Sequence, residues 1–317
     1  NTIELWLEAA LIDRPEMGWI SRVNFDHTEQ EITQLDIPPY RDGYFYLREG
    51  EVLGTFYGDQ WASQCGDLYE GIPCDQFQVN DLGHLVWVGT GNSWQDGLAN
   101  DLWGTSTELT DANGDVHAYQ WGLPIKSVGT GPLGEENSNF LRLGNTTPDF
   151  NLSWSNNIRY KNLSLYFLLD GEFGADIYNH TLQYGYRDQT SGDQDMYGLP
   201  DSKKKPIDYH QLLYNVNANS GWFVEDGTFV KVREASLRYQ FDRDQIQRWF
   251  GGAFGMENLS INVIGRNLLT FTDYRGYDPE AGYGSTGDGG GSTAIGRVDD
   301  FGYPNYRTIS VSLETIF

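Results

Sequence analysis

Apolar and polar residues alternate one for one in seven separate stretches of the chain. In the final stretch Ile309, Val311, Leu313, Thr315 and Phe317 fall on one side, and Thr308, Ser310, Ser312 and Glu314 on the other. Leu259, Ile261 and Val263 stand against Ser260, Asn262 and Arg266, and Ala235, Leu237, Tyr239 and Phe241 against Ser236, Arg238 and Gln240. Phe150, Leu152, Trp154 and Ile158 alternate with Asn151, Ser153 and Ser155, and Leu163, Leu165, Phe167 and Leu169 follow at once. Near the start, Ile3, Leu5, Leu7 and Ala9 are followed by Trp19, Val23 and Phe25. A repeat of two is that of a β-strand with one apolar and one wet face. The spacing predicts strands over 2–11, 17–28, 147–159, 162–175, 228–242, 257–271 and 304–317.

The connections between these strands alternate strictly in length. Short ones fall at Ile12–Glu16, Tyr160–Asn162 and Asp242–Met256, the last with room for one or two helical turns over Asp244 to Phe250. Long ones run over 29–146, 176–227 and 272–303. A soluble sandwich has no reason to put every long loop at one end. An outer-membrane barrel does, with tight periplasmic turns and long outside loops. The expected fold is therefore all-β, an antiparallel transmembrane β-barrel with long extracellular loops. Arg238, Asn262, Arg266 and Glu314 are expected to face the lumen, because an Arg near mid-membrane on the lipid side costs roughly 2–4 kcal/mol. Single-chain bacterial barrels have an even number of strands. Seven are then a fragment, and further strands are expected upstream.

Composition narrows the classes. Aromatic residues make up 15% of 317 residues, 38 are Gly, and mean hydropathy is only −0.52. That mixture suits many short strands and polar loops. With 45 acids against 21 Lys and Arg the net charge is −24, which argues against nucleic acid and against docking on anionic lipid. No run of about 18 apolar residues exists, which excludes a membrane helix and leaves a barrel open. The chain opens at Asn1 without Met or a basic-then-apolar leader, the expectation for a mature or truncated piece. Cys65 and Cys74, nine apart with no His at metal-ligand spacing, read as a loop disulfide, with two free thiols as the alternative.

Candidate chemistry is sparse. Asp111-Ala112-Asn113-Gly114-Asp115 looks like half a calcium loop, but the sixth-position Gly and twelfth-position Glu are missing, so an Asn-Gly hairpin turn is the reading. His27, His84, His117, His180 and His210 show no metal-like spacing and read as isolated surface residues. Gly287–Ser292 follows no strand and opens no helix, so it reads as a loop tip, as does Lys203-Lys204-Lys205-Pro206. No nucleophile elbow or phosphate loop is present, and no cofactor, metal or enzymatic activity is expected. The stretch 29–146 is different. It holds 18 acids, four basic residues and Trp61, Trp87, Trp94, Trp103 and Trp121. Aromatic faces beside carboxylates suit a glycan or a covering partner, and packing of the loops on themselves is the competing role.

Gly221–Glu234 (GWFVEDGTFVKVRE) and Gly265–Tyr274 with Gly276–Glu280 resemble two signatures, "fvEdgsfvKlRe" and "GrNLltfTdY.GyDPE", of the SusC/RagA-like TonB-dependent outer-membrane transporters. Gly302-Tyr303-Pro304 resembles the closing "yP..rt" strand, Glu49–Gly58 the "eG.plGtfyG" loop, and Leu143–Phe150 "iGn..P.f". The resemblance spans nearly the whole chain in order. It implies the last third of a 22-stranded barrel that encloses a plug, with Phe317 resembling the terminal aromatic signal for assembly into outer-membrane lipid. It also implies nutrient uptake, commonly of oligosaccharides or peptides, energised by TonB through an upstream plug. A SusD-like surface lipoprotein is the implied lid. Two rival classes remain: a secreted acidic all-β protein that binds or degrades glycans, and a structural surface barrel without transport.

Overall fold

A computed structural model describes residues 1–215, 217–251, 256–280 and 297–316, without the side chain of Phe250. Phe317, Gly252 and the Gly287–Ser292 tip lie outside the described residues. Seven long strands form one sheet: β1 (Thr2–Arg14), β2 (Met17–Thr28), β3 (Phe150–Tyr160), β4 (Leu163–Phe173), β5 (Phe229–Phe241), β6 (Asn258–Thr272) and β7 (Thr308–Ile316). They lie side by side in chain order, each antiparallel to the next. The sheet is open, with β1 and β7 each paired on one side only. No closed barrel is formed by these strands. Their ends stand within four residues of the bounds expected from alternation.

Register makes the two faces continuous from strand to strand, because directly opposed residues point the same way. Leu7 opposes Val23, Val23 opposes Trp154, and Trp154 opposes Leu169. Leu165 opposes Leu237, Leu237 opposes Val263, and Val263 opposes Val311. This apolar face is uncovered: Leu5, Leu7, Val311 and Leu313 are 61–71% exposed. Two aromatic zones bound it. At one end Phe25, Phe150 and Phe173 stack in a row, with centroids 5.8 and 4.7 Å apart. At the other end Tyr160 projects, and Phe241 meets Trp249 at 5.4 Å. From Phe150 to Tyr160 is roughly 33 Å at the usual rise per strand residue. At the tilt usual for outer-membrane barrels that spans about 25 Å along the normal, the height of their apolar band. Polar residues on this face are shielded by indoles: Trp19 Nε1 donates to Asn156 Oδ1 at 2.8 Å and Trp154 Nε1 to Ser21 Oγ at 2.9 Å.

The turn end of the sheet is economical. β1 and β2 join through two residues, and β3 and β4 through Lys161 (φ 51°) and Asn162. Between β5 and β6 sits helix α3 (Arg243–Phe250), capped by Asp242 in a capping box with Gln245 and closed by left-handed Gly251. The three long connections all leave from the opposite end, and the first two are folded over their described residues. In 29–146 the short strands Tyr40–Asp42, Phe45–Leu47, Thr55–Asp59 and Phe140–Asn145 form a sheet. The second long connection contributes α1 (His180–Arg187), α2 (Ile207–Leu213) and a strand, Asn219–Ser220, that joins Thr55–Asp59 in parallel. Gly58 permits this, since a Cβ there would stand 2.2 Å from Asn219 O. Phe56, Trp61, Val86, Tyr178, Tyr209 and Phe223 share one core drawn from both connections. A second core holds Trp87 and Trp121.

Candidate functional site at the loop end of the sheet

The polar face of the sheet ends in a lock of charges. Within β5 the register slips at Arg233, so Lys231 and Arg233 both reach the polar side. Lys231, 1% exposed, places Nζ 2.5 Å from Asp278 Oδ1 and 2.6 Å from Glu280 Oε2. Arg233 grips Glu280 with both terminal nitrogens and donates Nε to Asp170 Oδ2 at 2.8 Å. Asn305 adds its backbone N–H to Asp278 Oδ2 at 3.0 Å. A buried ammonium is tolerated only when paired, and here two carboxylates compensate it. Beside this cluster Arg297 pairs with Glu172. The Lys-x-Arg-Glu and Asp-Pro-Glu motifs are thus two halves of one cluster that ties the third long connection to the wall. In β6 the motif Asn267 takes a left-handed conformation (φ 51°), and its Nδ2 donates to Tyr306 O at 3.1 Å. Asn tolerates that backbone and spans the gap, which explains the residue.

Further along the polar face, Arg238 opposes Asn262, and Arg238 Nη2 lies 3.0 Å from Glu314 Oε2. Arg266 Nε lies 2.9 Å from Glu234 Oε2. All four sequence candidates share this face. Each pair keeps at least one partner more than half exposed, Glu314 at 64% and Arg266 at 57%, so each contributes at most about 1 kcal/mol.

The five tryptophans divide. Trp61, Trp87 and Trp121 are buried and belong to the loop cores, with Trp61 Nε1 donating to Ser220 Oγ at 2.9 Å and Trp87 Nε1 to Gln76 Oε1 at 3.1 Å. Burial takes these three out of reach of a lid or sugar, a correction to the sequence expectation. Their alternation with polar residues in irregular loops carried no face to read. Trp94 and Trp103 are half-buried. The Lys205 ammonium stands 5.7 Å above the Trp94 ring. Cys65 and Cys74 form a disulfide, Cα atoms 5.8 Å apart, beside Ala62, Leu68 and Ile72 of the second core. Asp111 Oδ1 accepts the N–H groups of Asn113 and Asp115, closing the hairpin turn. No group of three or more metal-capable side chains occurs among the described residues.

The histidines also depart from expectation, since His84 and His210 are interior. Asn80 donates to the Tyr209 hydroxyl at 2.7 Å, and that hydroxyl meets His84 Nδ1 at 2.6 Å. Burial first, then the Lys205 charge, hold the His84 imidazole down at about 4. Burial holds His210 at about 4 as well. Lys205 is likewise no loop tip: it is buried and paired with Asp81 at 2.6 Å. Nothing in the local sequence marked His84 or Lys205, because their partners lie about 125 positions away.

No family model matches the chain. It is 26% identical over 329 residues to TonB-dependent receptor P3 of Formosa agariphila, covering 99% of the chain and 28% of that protein. With TonB-dependent receptor P39 of the same organism it shares 24% over 336 residues, 99% of the chain and 30% of that protein. Among solved structures it matches the RagAB peptide importer in its closed-closed state with a TM-score of 0.57 at 16% identity, over 98% of the chain and 28% of that one. The RagAB peptide transporter gives 0.54 at 17% identity. The fold, an antiparallel sheet with two unlike faces, is shared with those solved structures. The chain is similar over nearly its whole length to proteins named TonB-dependent receptors, and it spans less than a third of the length of the curated relatives it matches.

Proposed function

We propose that this chain is part of the wall and outer vestibule of a 22-stranded outer-membrane transporter that takes up oligosaccharides or peptides. Further strands complete the barrel by pairing with the free edges of β1 and β7, which otherwise present unpaired N–H and C=O groups. TonB drives it through a plug enclosed on the polar face, and a SusD-like lipoprotein covers the loops. The single observation that carries this reading is the uncovered apolar face. A band about 25 Å tall, bounded by aromatic zones, spans all seven strands and has no layer over it among the described residues. A secreted glycan-binding protein would have to cover that surface or aggregate.

The orientation follows from the folded loops standing at one end. Single cysteines at exposed Leu133 and Tyr197 should react with a bulky, membrane-impermeant thiol reagent on intact cells, and one at Asn162 should not. Labelling at 162 with protection at 133 and 197 would overturn it. Co-purification of a lipoprotein from mild detergent tests the lid. A transporter that always purifies alone, and takes up substrate without a partner, sinks that part.

A further inference from the structure

Helix α3 closes the turn between β5 and β6 and folds back onto the apolar side of the sheet. Gln245 Nε2 donates to the Tyr239 hydroxyl at 2.7 Å, and the Trp249 ring stands 5.4 Å from that of Phe241. Tyr239 opposes Leu163 and Ile261, and Phe241 opposes Leu259, so both anchors belong to the apolar face. Ile246 is 1% exposed, whereas Trp249 is 62% exposed and Arg243, Asp244 and Arg248 are exposed with it. Arg243 and Arg248 form no ion pair among the described residues. The neighbouring turns repeat the arrangement. Arg14, Met17, Tyr160, Leu163 and Tyr239 stand directly opposite one another in a single row, which places Arg14 at the end of the same face. Arg14 also lacks an ion pair among the described residues. Lys161 Nζ lies 5.7 Å from the Tyr160 ring, and its only carboxylate partner, Glu16 at 3.6 Å, is a pair more than half exposed on both sides. Aromatic rings at the edge of an apolar band, with cations just beyond them, suit the boundary between acyl chains and headgroups.

We propose that α3, with Arg14 and Lys161 in the turns beside it, is a docking surface for the headgroups of anionic phospholipid. The inference rests on the reading above of the apolar face as lipid-facing and the long loops as external, which brings the turn end to the phospholipid leaflet. Charge complementarity selects the occupant. The net charge of −24 lies mostly at the opposite end, where 29–146 alone holds 18 acids against four basic residues. At the turn end the guanidinium groups of Arg14, Arg243 and Arg248 are left for an outside anion. Within α3 the single acid is Asp244, since Asp242 is engaged in the cap. A zwitterionic headgroup offers these cations a phosphate together with a competing ammonium, whereas phosphatidylglycerol offers the phosphate alone. The exposed Trp249 indole adds a ring that partitions into the acyl boundary and an N–H that stays wet, which sets the depth of the helix.

Lipid selectivity at the helix tests it. The full-length transporter carrying Gln247→Cys, labelled there with a small fluorophore, is reconstituted into bilayers of equal parts phosphatidylethanolamine and phosphatidylglycerol. One lipid or the other carries a spin-label quencher. Quenching at 247 should favour phosphatidylglycerol by about fivefold, the effect of one engaged guanidinium, and added salt should shrink the preference. Arg243→Gln with Arg248→Gln should remove it, and Asp244→Asn should raise it. These substitutions change exposed side chains and leave Ile246 and the Asp242–Gln245 cap in place, so the barrel should keep its heat-modifiable folded form. A fluorophore at Ile3, on the apolar face at the loop end, should show no preference. Equal quenching by the two lipids at 247 overturns the proposal. So does a preference that survives the double substitution, or one as strong at Ile3 as at 247. A protein that enters neither lipid overturns the lipid-facing reading along with this one, whereas one that enters the bilayer without selectivity overturns this one alone.

Discussion

Acidification should loosen the loop body selectively, through His84 and His210. Both imidazoles are held at about 4 inside the fold by burial, against an ordinary value near 6.5 when the segment is open. The folded state therefore binds fewer protons than the open one between those values. Stability is full above pH 6.5 and is lost as the pH falls from 6.5 toward 4. Between pH 7 and pH 5 the linkage is worth about 2 kcal/mol per imidazole, about 4 for the pair. The facing charges do not reverse it: Lys205 adds to the depression, and Asp193 opposes it only at His210. Raised carboxyls such as Asp176 and Asp299 shift stability the other way, but neither contacts His84 or His210: Asp176 accepts from Asn145 N, and Asp299 from Tyr274 and Thr181. Hydrogen exchange, corrected for intrinsic rates, reads the effect in peptides covering 80–89 and 205–213. Protection there should fall by roughly a thousandfold from pH 7 to pH 5 while the β3–β4 hairpin is unchanged. His84→Gln should remove about half of the pH dependence. Protection that is flat or rises on acidification, with both histidines present, would refute the reasoning.

Three further outcomes follow from particular contacts. Leu313→Asp, on the exposed apolar face, should sharply reduce heat-modifiable folded protein in the outer membrane, whereas Ser312→Asp on the polar face should not; equal losses would mean the faces are misassigned. Glu280→Gln takes the shared carboxylate from Lys231 and Arg233, a change worth about 3 kcal/mol or more at a buried pair, and should open 273–280 to protease while leaving the wall folded. Reducing the Cys65–Cys74 bridge should destabilise the loop body by roughly 2–3 kcal/mol, the loop-closure entropy of about ten residues, seen as lower denaturant resistance of the second core.

Alternation revealed the wall because each strand repeats one physical demand, an apolar face on one side and a polar face on the other, and a period of two records it directly. Leu237, Val263 and Val311 needed no tertiary knowledge to be placed on one face. The loops obey no such external solvent. Trp61 and Trp121 are interior because of residues far away in sequence, and the same aromatic on a rim would look identical in composition. His210 is buried by Tyr186 and Tyr209 from two helices whose seven or eight residues are too short for a periodic signal. The charge cluster was half legible. Its motifs were visible at 231–234 and 278–280, but not that Lys231 and Glu280 touch.

The parallel pairing of Asn219–Ser220 with Gly58–Asp59 makes two chain segments one inherited part. A new sequence in 29–146 must still offer a glycine where 219 crosses and still receive Tyr178, Tyr209 and Phe223 into its core. Recombination that swaps one connection alone breaks that seam. Diversification of this surface is therefore expected to travel in paired cassettes, with substitutions in one connection answered in the other and the wall between them left unaltered.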